Sequence, residues 1–285
     1  MMKPIGTILF PTLVVSLLTA CVATDGPGEL GAVVQSDGSD GLLDAALDCA
    51  EPDAAAMVRI NGCTVLIDTS DDPDLVATAL NNRGVAYFEL ERYQDALGDF
   101  DRLVELTPTL ASSYVSRGRA YSRLEERRRA IEDFDQAIAL DPYDASAYFN
   151  RGHTLSRLEE YEVAIADLDR AIELIPNFSD AYLERGLARH DLGMYYGAIE
   201  DYDQAIALNP SFPETYQFRG YSRCRLGFEN EAYDDWMQAD RVGDADRRSL
   251  YQNIATELDY YDGAIDGEAT PEWHSAIAYW AQVSC

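Results

Sequence analysis

Residues 145–176 read ASAYFNRGHTLSRLEEYEVAIADLDRAIELIP, and the skeleton of this stretch returns every 34 residues. Its Arg-Gly pair recurs as Arg83-Gly84, Arg117-Gly118, Arg151-Gly152, Arg185-Gly186 and Arg219-Gly220. Prolines keep the same interval at Pro108, Pro142, Pro176 and Pro210, and alanines keep it at Ala96, Ala130, Ala164, Ala198 and Ala232. Four residues after each alanine stands a ring or a leucine: Phe100, Phe134, Leu168, Tyr202 and Trp236. A small residue follows three later as Ala137, Ala171, Ala205 and Ala239, with Leu103 in the first unit.

Each unit reads as two amphipathic helices. The glycine and the alanine permit close helix approach, and the bulky residue fills the gap between the helices. Leu90, Leu124, Leu158, Leu192 and Leu226 close the first helix. The proline cannot continue the second helix and ends it. One pair cannot bury its apolar stripe alone, so the units must stack. This pattern resembles the tetratricopeptide repeat in length and in key positions. Five copies cover residues 77–246, as 77–110, 111–144, 145–178, 179–212 and 213–246. The resemblance implies an all-α, right-handed superhelical solenoid.

The chain of 285 residues has 22 basic and 51 acidic side chains, a formal charge of −29. Such a charge argues against nucleic-acid partners and against docking of the folded body on anionic lipid. Lys3 is the only lysine, which excludes lysine-nucleophile chemistry elsewhere.

Residues 1–20 begin with a short positive start and continue with an apolar run from Ile5 to Leu18 that Pro11 interrupts. The run is too short for a comfortable membrane span. Leu18-Thr19-Ala20-Cys21 resembles the bacterial lipobox, which implies removal of residues 1–20 and lipidation of Cys21. The alternative is an ordinary cleavable signal. Val22 after the cysteine fits the outer-membrane sorting rule, with the protein facing the periplasm. Residues 21–42 are rich in Gly, Asp and Ser and read as a flexible tether. Residues 43–76 read as a degenerate capping half-repeat, with Ala54 to Ile67 as its lone helix, started by Pro52.

Beyond Cys21 there are four cysteines, Cys49, Cys63, Cys224 and Cys285. In an exported chain this number suggests two disulfides. Cys49 with Cys63 is the first choice, because a short extended segment and ten helical residues let the two meet. Closure of that loop contributes roughly 3 kcal/mol. Cys224 then pairs with Cys285 or stays as a free buried thiol.

In the tetratricopeptide family the first helices line a concave groove. The matching positions here supply Asn82, Arg119, Arg123, Phe149, Asn150, His153, Arg157, Leu183, Leu187, Tyr221 and Arg225. Arginine and asparagine among apolar residues suit a peptide carboxylate. The competing reading pairs these arginines with nearby acids. The arginine of each Arg-Gly instead belongs to an internal ladder with the Asp-x-Asp of the second helix, such as Asp133 and Asp135. Such pairs count for little if exposed.

Residues 247–285 resemble a three-helix peptidoglycan-binding module through Gln252, Leu258, Tyr260, Tyr261, Gly263, Ile265, Asp266, Gly267, Ala276 and Ile277. Asp259, Thr270 and Trp273 depart from its pattern. The resemblance implies a ligand face of Tyr260, Tyr261, Asp262, Asp266, Trp273 and Trp280. The alternative is a remnant that only caps the last repeat. Hydrolase, phosphate-loop and metal-site motifs are absent from the sequence, and the three histidines lack metal-ligand spacing. The expectation is a lipid-anchored envelope adaptor without cofactor or metal that binds protein or peptide segments. A peptidoglycan tether is the alternative, and a wall hydrolase the weakest reading.

Overall fold

The computed structural model describes residues 39–284 apart from positions 53, 247, 250, 251, 253–260 and 262. The segment read as a signal, Cys21 and most of the stretch read as a tether lie outside the described residues. So do Tyr260, Asp262, Cys285 and the Trp280 side chain. Thirteen helices and no strand occur among the described residues. They are α1 (Ser39–Ala50), α2 (Ala56–Thr69), α3 (Pro73–Glu89), α4 (Tyr93–Leu106), α5 (Ala111–Arg123), α6 (Arg127–Leu140), α7 (Ala145–Ser156), α8 (Tyr161–Leu174), α9 (Ser179–Asp191), α10 (Tyr195–Leu208), α11 (Pro213–Arg225), α12 (Glu229–Val242) and α13 (Pro271–Ser284).

Helices α3 to α12 form five hairpins in the register of the repeat. Each helix packs on the next, and the first helices α3, α5, α7, α9 and α11 also touch one another in a row. The solenoid expected from the period is therefore present. The glycines sit where the bulky residue needs room. A Cβ on Gly84 would lie 2.5 Å from Phe100, one on Gly118 2.7 Å from Phe134, and one on Gly186 2.6 Å from Tyr202. At Gly220 the neighbour is Trp236 at 2.6 Å, and at Gly152 it is the smaller Leu168 at 3.0 Å. Phe134, Leu168 and Tyr202 are fully buried.

The second helices stop one or two residues short of the prolines. Thr107, Asp141, Ile175 and Asn209 are their C-caps, as expected for residues that precede a proline. The first helices end in a left-handed residue. It is Gly193 or Gly227 in the last two repeats, but Glu91, Glu125 and Glu159 in the first three, with φ between 57° and 63°. The turn that follows forces this conformation. In the first repeat Arg92 N–H reaches back to the Tyr87 carbonyl at 2.9 Å, and Glu91 N–H to Phe88 at 3.1 Å.

The arginine ladder is present and links the repeats. Arg117 donates Nε to Asp133 at 2.9 Å and Nη2 at 2.6 Å, while its Nη1 reaches Asp101 of the preceding repeat at 3.2 Å. Arg151 repeats this with Asp167 and Asp135, Arg185 with Asp201 and Asp169, and Arg219 with Asp235 and Asp203. Arg83 has no preceding repeat and bonds Thr64 Oγ1 of α2 instead, at 2.9 Å. The pair within each repeat is not exposed, which corrects the discount made from sequence, whereas Asp101, Asp135, Asp169 and Asp203, which reach the next repeat, stay about half exposed. Asp99, Asp133, Asp167, Asp201 and Asp235 are all buried. Burial pushes the carboxyls of Asp133, Asp201 and Asp235 above the usual range, against the pull of their arginines.

The N-terminal cap is a helical hairpin rather than a lone helix. Helix α1 starts at Ser39, inside the stretch read as tether, and α2 starts at Ala56. Leu42, Ala45, Ala46 and Cys49 carry helical spacing that the surrounding Gly, Asp and Ser obscure. Gly62 of α2 faces Ala45, Asp48 and Cys49 of α1 so closely that a Cβ would clash. The expected Cys49–Cys63 disulfide joins the two helices. Asn82 spends its side-chain amide on the Cys49 carbonyl at 3.2 Å and so holds this hairpin to the first repeat.

Candidate functional site

The row of first helices forms one face of the stack, and a cleft of about 550 Å³ opens there across the first four repeats. Helix α5 supplies Arg119, Ser122 and Arg123, α7 supplies Phe149, Asn150 and His153, and α9 supplies Asp180, Leu183 and Glu184. Phe88 of α3 and Phe212, just before α11, close the two ends. Six of the residues chosen from the sequence meet here: Arg119, Arg123, Phe149, Asn150, His153 and Leu183.

The cleft has two electrostatic sides. On one, the Arg119 guanidinium lies 5.0 Å from the centre of the Phe88 ring. Arg123 lies over both Phe88 and Tyr93, and its Nε donates to the Tyr93 hydroxyl at 3.3 Å. Among the described residues no carboxylate pairs with either arginine. Burial, then the like charge of Arg123, pulls the Arg119 guanidinium below its usual value. On the other side, Glu184 meets His153 Nδ1 at 3.1 Å, and Asp180 lies beside it in the lining. Between them Phe149 packs on Phe178 with ring centres 4.8 Å apart. Rings and two unpaired guanidinium groups together suit a segment that carries carboxylate and apolar side chains.

Other residues chosen from the sequence lie elsewhere. Asn82 anchors the cap, as described above. Tyr221 packs edge-on against Trp236 at the far end of the array. Arg225 donates to the Tyr195 hydroxyl at 3.1 Å and covers its ring. Arg157 and Leu187 do not line the cleft. Phe88, Ser122, Asp180, Glu184 and Phe212 were not among the chosen residues. Phe88 sits four residues after Gly84, as Ser122 does after Gly118. Phe212 lies before its helix, outside that register.

The C-terminal segment packs on the fifth repeat. Tyr261, Trp273, Ala276 and Ile277 share one buried cluster with Ala232, Trp236 and Met237. Tyr261 meets Trp273 edge-on at 5.4 Å and donates its hydroxyl to the Ala264 carbonyl at 3.0 Å. Gln252 is fully buried: its Oε1 accepts Gly267 N–H at 2.9 Å and Asp266 N–H at 3.2 Å, and its Nε2 donates to the Glu268 carbonyl at 2.9 Å. Asp266 accepts Glu268 N–H at 3.0 Å, as a turn-starting aspartate does. Asp240 of α12 receives Trp273 Nε1 at 2.9 Å and Arg248 Nε at 2.8 Å. Tyr261 and Trp273 are thus core residues here. Cys224 is disulfide-bonded rather than free, and the expectation of Cys285 as its partner lies outside the described residues.

Residues 75–142, 115–177 and 179–212 each match the family described as tetratricopeptide repeat. The fifth unit, 213–246, lies beyond those matches yet keeps the same hairpin and the same Gly220–Trp236 contact. Among solved structures, a crystal structure of MamA is 26% identical with a TM-score of 0.51, over 56% of this chain and 93% of that one. MamA from residue 41 onward of Desulfovibrio magneticus RS-1 is 20% identical with a TM-score of 0.54, over 58% and 94%. YrrB, described as a tetratricopeptide protein with an unusual peptide-binding site, is 21% identical with a TM-score of 0.51, over 64% and 93%. At those last two identities the likeness is one of fold. No curated protein is detectably similar to the chain.

Proposed function

From the premise that residues 75–212 are tetratricopeptide repeats, we propose that the protein is a scaffold of the bacterial cell envelope. It captures a segment of a partner protein in the cleft between Phe88 and Phe212. One observation carries this reading. In a chain with 51 acidic residues, Arg119 and Arg123 reach no carboxylate among the described residues, although every ladder arginine does. A guanidinium pair held by aromatic rings and one tyrosine hydroxyl, with no countercharge among the described residues, is a costly arrangement that an acidic, partly apolar ligand relieves. The role is binding rather than catalysis.

The envelope location rests on the lipobox-like Leu18–Cys21 stretch. The Cys49–Cys63 disulfide is in keeping with an oxidising compartment outside the cytoplasm. In this reading fatty acids on Cys21 provide the membrane attachment, and the outer membrane facing the periplasm is the site.

Crosslinking and affinity capture from envelopes tests the cleft. The R119E/R123E protein should keep its helical signal and lose the partners that the wild type captures. Unchanged partners would remove the cleft from the argument. Labelling cells with palmitate tests the anchor, which predicts incorporation abolished by C21A.

A further inference from the structure

The cleft carries opposite charge at its two ends. Arg119 and Arg123 stand at the α5 end, Asp180 and Glu184 at the α9 end. Helix α7 lies between and packs on both neighbours, and it lines the middle of the cleft with Phe149 and Asn150. Glu184 meets His153 Nδ1 at 3.1 Å, and its side chain is 20% exposed. A carboxylate accepts several hydrogen bonds, so this single contact leaves it capacity for another donor. Asp180 is exposed, and no cation pairs with it among the described residues. With packed helices about 8–10 Å apart, the two charged ends are separated by two such spacings, about 16–20 Å. An extended chain crosses that distance in about five or six residues.

We propose that the occupant of the cleft is a segment of two signs. It is an extended stretch that sets an acidic side chain on Arg119 and Arg123, an apolar one on Phe149, and a lysine or arginine about five or six residues away on Asp180 and Glu184. This rests on the reading of the cleft as a peptide site and adds the second charge and its spacing. A uniformly acidic segment would set carboxylate against carboxylate at the α9 end. A uniformly basic one would set cation against guanidinium at the α5 end. Like charges brought together in this way reject the wrong partner. The charge of the whole body acts in the same direction. At −29 it repels a segment that carries only acid, whereas a segment with one charge of each sign approaches without that barrier. The order of signs also fixes how the segment lies: its acidic side chain points to the second repeat and its basic one to the fourth.

Fluorescence anisotropy with labelled synthetic peptides tests this on the purified protein. Each peptide is about nine residues long, is blocked at both ends, and carries leucine and phenylalanine between two charged side chains about six positions apart. The Glu/Lys peptide should bind the wild type about tenfold more tightly than the Glu/Glu or the Lys/Lys peptide, and about tenfold more tightly than a Glu/Lys peptide with its charges adjacent. In D180K/E184K the preference should pass to the Glu/Glu peptide, with the helical signal unchanged. If that variant misfolds, D180N/E184Q keeps the side-chain shapes and should bind Glu/Glu and Glu/Lys alike. Equal binding of Glu/Glu and Glu/Lys to the wild type, with both weakened by R119E/R123E, overturns the second charge and leaves the cleft reading standing. If no peptide binds, or if R119E/R123E alters no affinity, the cleft reading falls and this inference falls with it.

Discussion

The contact between each repeat glycine and its bulky partner can be tested by adding a single carbon. In Gly118→Ala the new Cβ lies 2.7 Å from Phe134 Cε1 and 3.0 Å from both Cδ1 and Cζ. Carbon pairs prefer about 3.5–4.0 Å, so the ring must retreat by on the order of 0.5–1 Å. Phe134 is fully buried, and its retreat pushes on neighbours at native density. Overpacking of this kind costs about 1–3 kcal/mol. Against it stands the gain of alanine over glycine in a helix, about 1 kcal/mol. Gly98→Ala is the control. It lies inside α4, is exposed, and has nothing within 4 Å of its Cβ. It keeps the helix gain and escapes the clash, so it should stabilise by about 0.5–1 kcal/mol. The difference between the two variants therefore isolates the packing term, on the order of 2 kcal/mol. Gly152→Ala meets Leu168 Cγ at 3.0 Å, the Ala164 carbonyl at 3.1 Å and Asp167 Cβ at 3.3 Å, and should fall between them. Urea denaturation followed by far-ultraviolet circular dichroism reads the order of midpoints. Pairing Gly118→Ala with Phe134→Leu, the residue type of the third repeat, should cost less than the sum of the two alone. If Gly118→Ala proved as stable as Gly98→Ala, the account of the repeat glycine would be wrong.

Three further outcomes follow from the same geometry. Arg117→Met leaves the buried Asp133 carboxylate without its two-pronged partner and should destabilise by about 3–5 kcal/mol, while Arg117→Met with Asp133→Leu recovers most of the loss; urea midpoints decide it. Glu125→Gly, at φ of 62°, should stabilise by about 0.5–1 kcal/mol, and Gly227→Ala, at φ of 78°, should destabilise by about 1–2 kcal/mol. Asp133, Asp201 and Asp235 have folded pKa values raised by burial. Their contribution is thus present below the unfolded value near 3.9 and is lost as pH rises through the folded one. Relief of the −29 charge has the same sign, so the melting temperature should rise as the pH falls from about 6 toward the carboxylate range near 4, and a steady fall would refute this.

Much of this fold can be read from periodicity. The 34-residue interval fixes helix pairing because glycine, alanine and ring must coincide in space. The ladder was half legible: Arg117 with Asp133 follows from the repeat, but the reach of Arg117 to Asp101 depends on how one unit settles on the last. Burial of those aspartates has no local signature. Helix α1 was missed because Gly38, Ser39, Asp40 and Gly41 dominate the composition at its start. The left-handed Glu91, Glu125 and Glu159 were missed because glutamate rarely adopts that conformation, and here the turn overrides preference. In the cleft, the arginines of α5 and the residues of α7 follow from helix phase. Asp180 and Phe212 depend on the stacking angle between units, which no single repeat encodes.

From Arg117 onward, each ladder arginine holds one aspartate sixteen residues ahead and one sixteen behind. That symmetry has a consequence for how such a chain can change length. If residues 145–178 were excised, Asp135 would come to stand sixteen positions before Arg185 and take the place of Asp169. The clamp at the new junction would be chemically the one that was removed. A gain or loss of one whole unit therefore leaves no orphaned charge, whereas a change of spacing between an arginine and the aspartate sixteen ahead parts a buried carboxylate from its partner. The electrostatics of this protein count in thirty-fours.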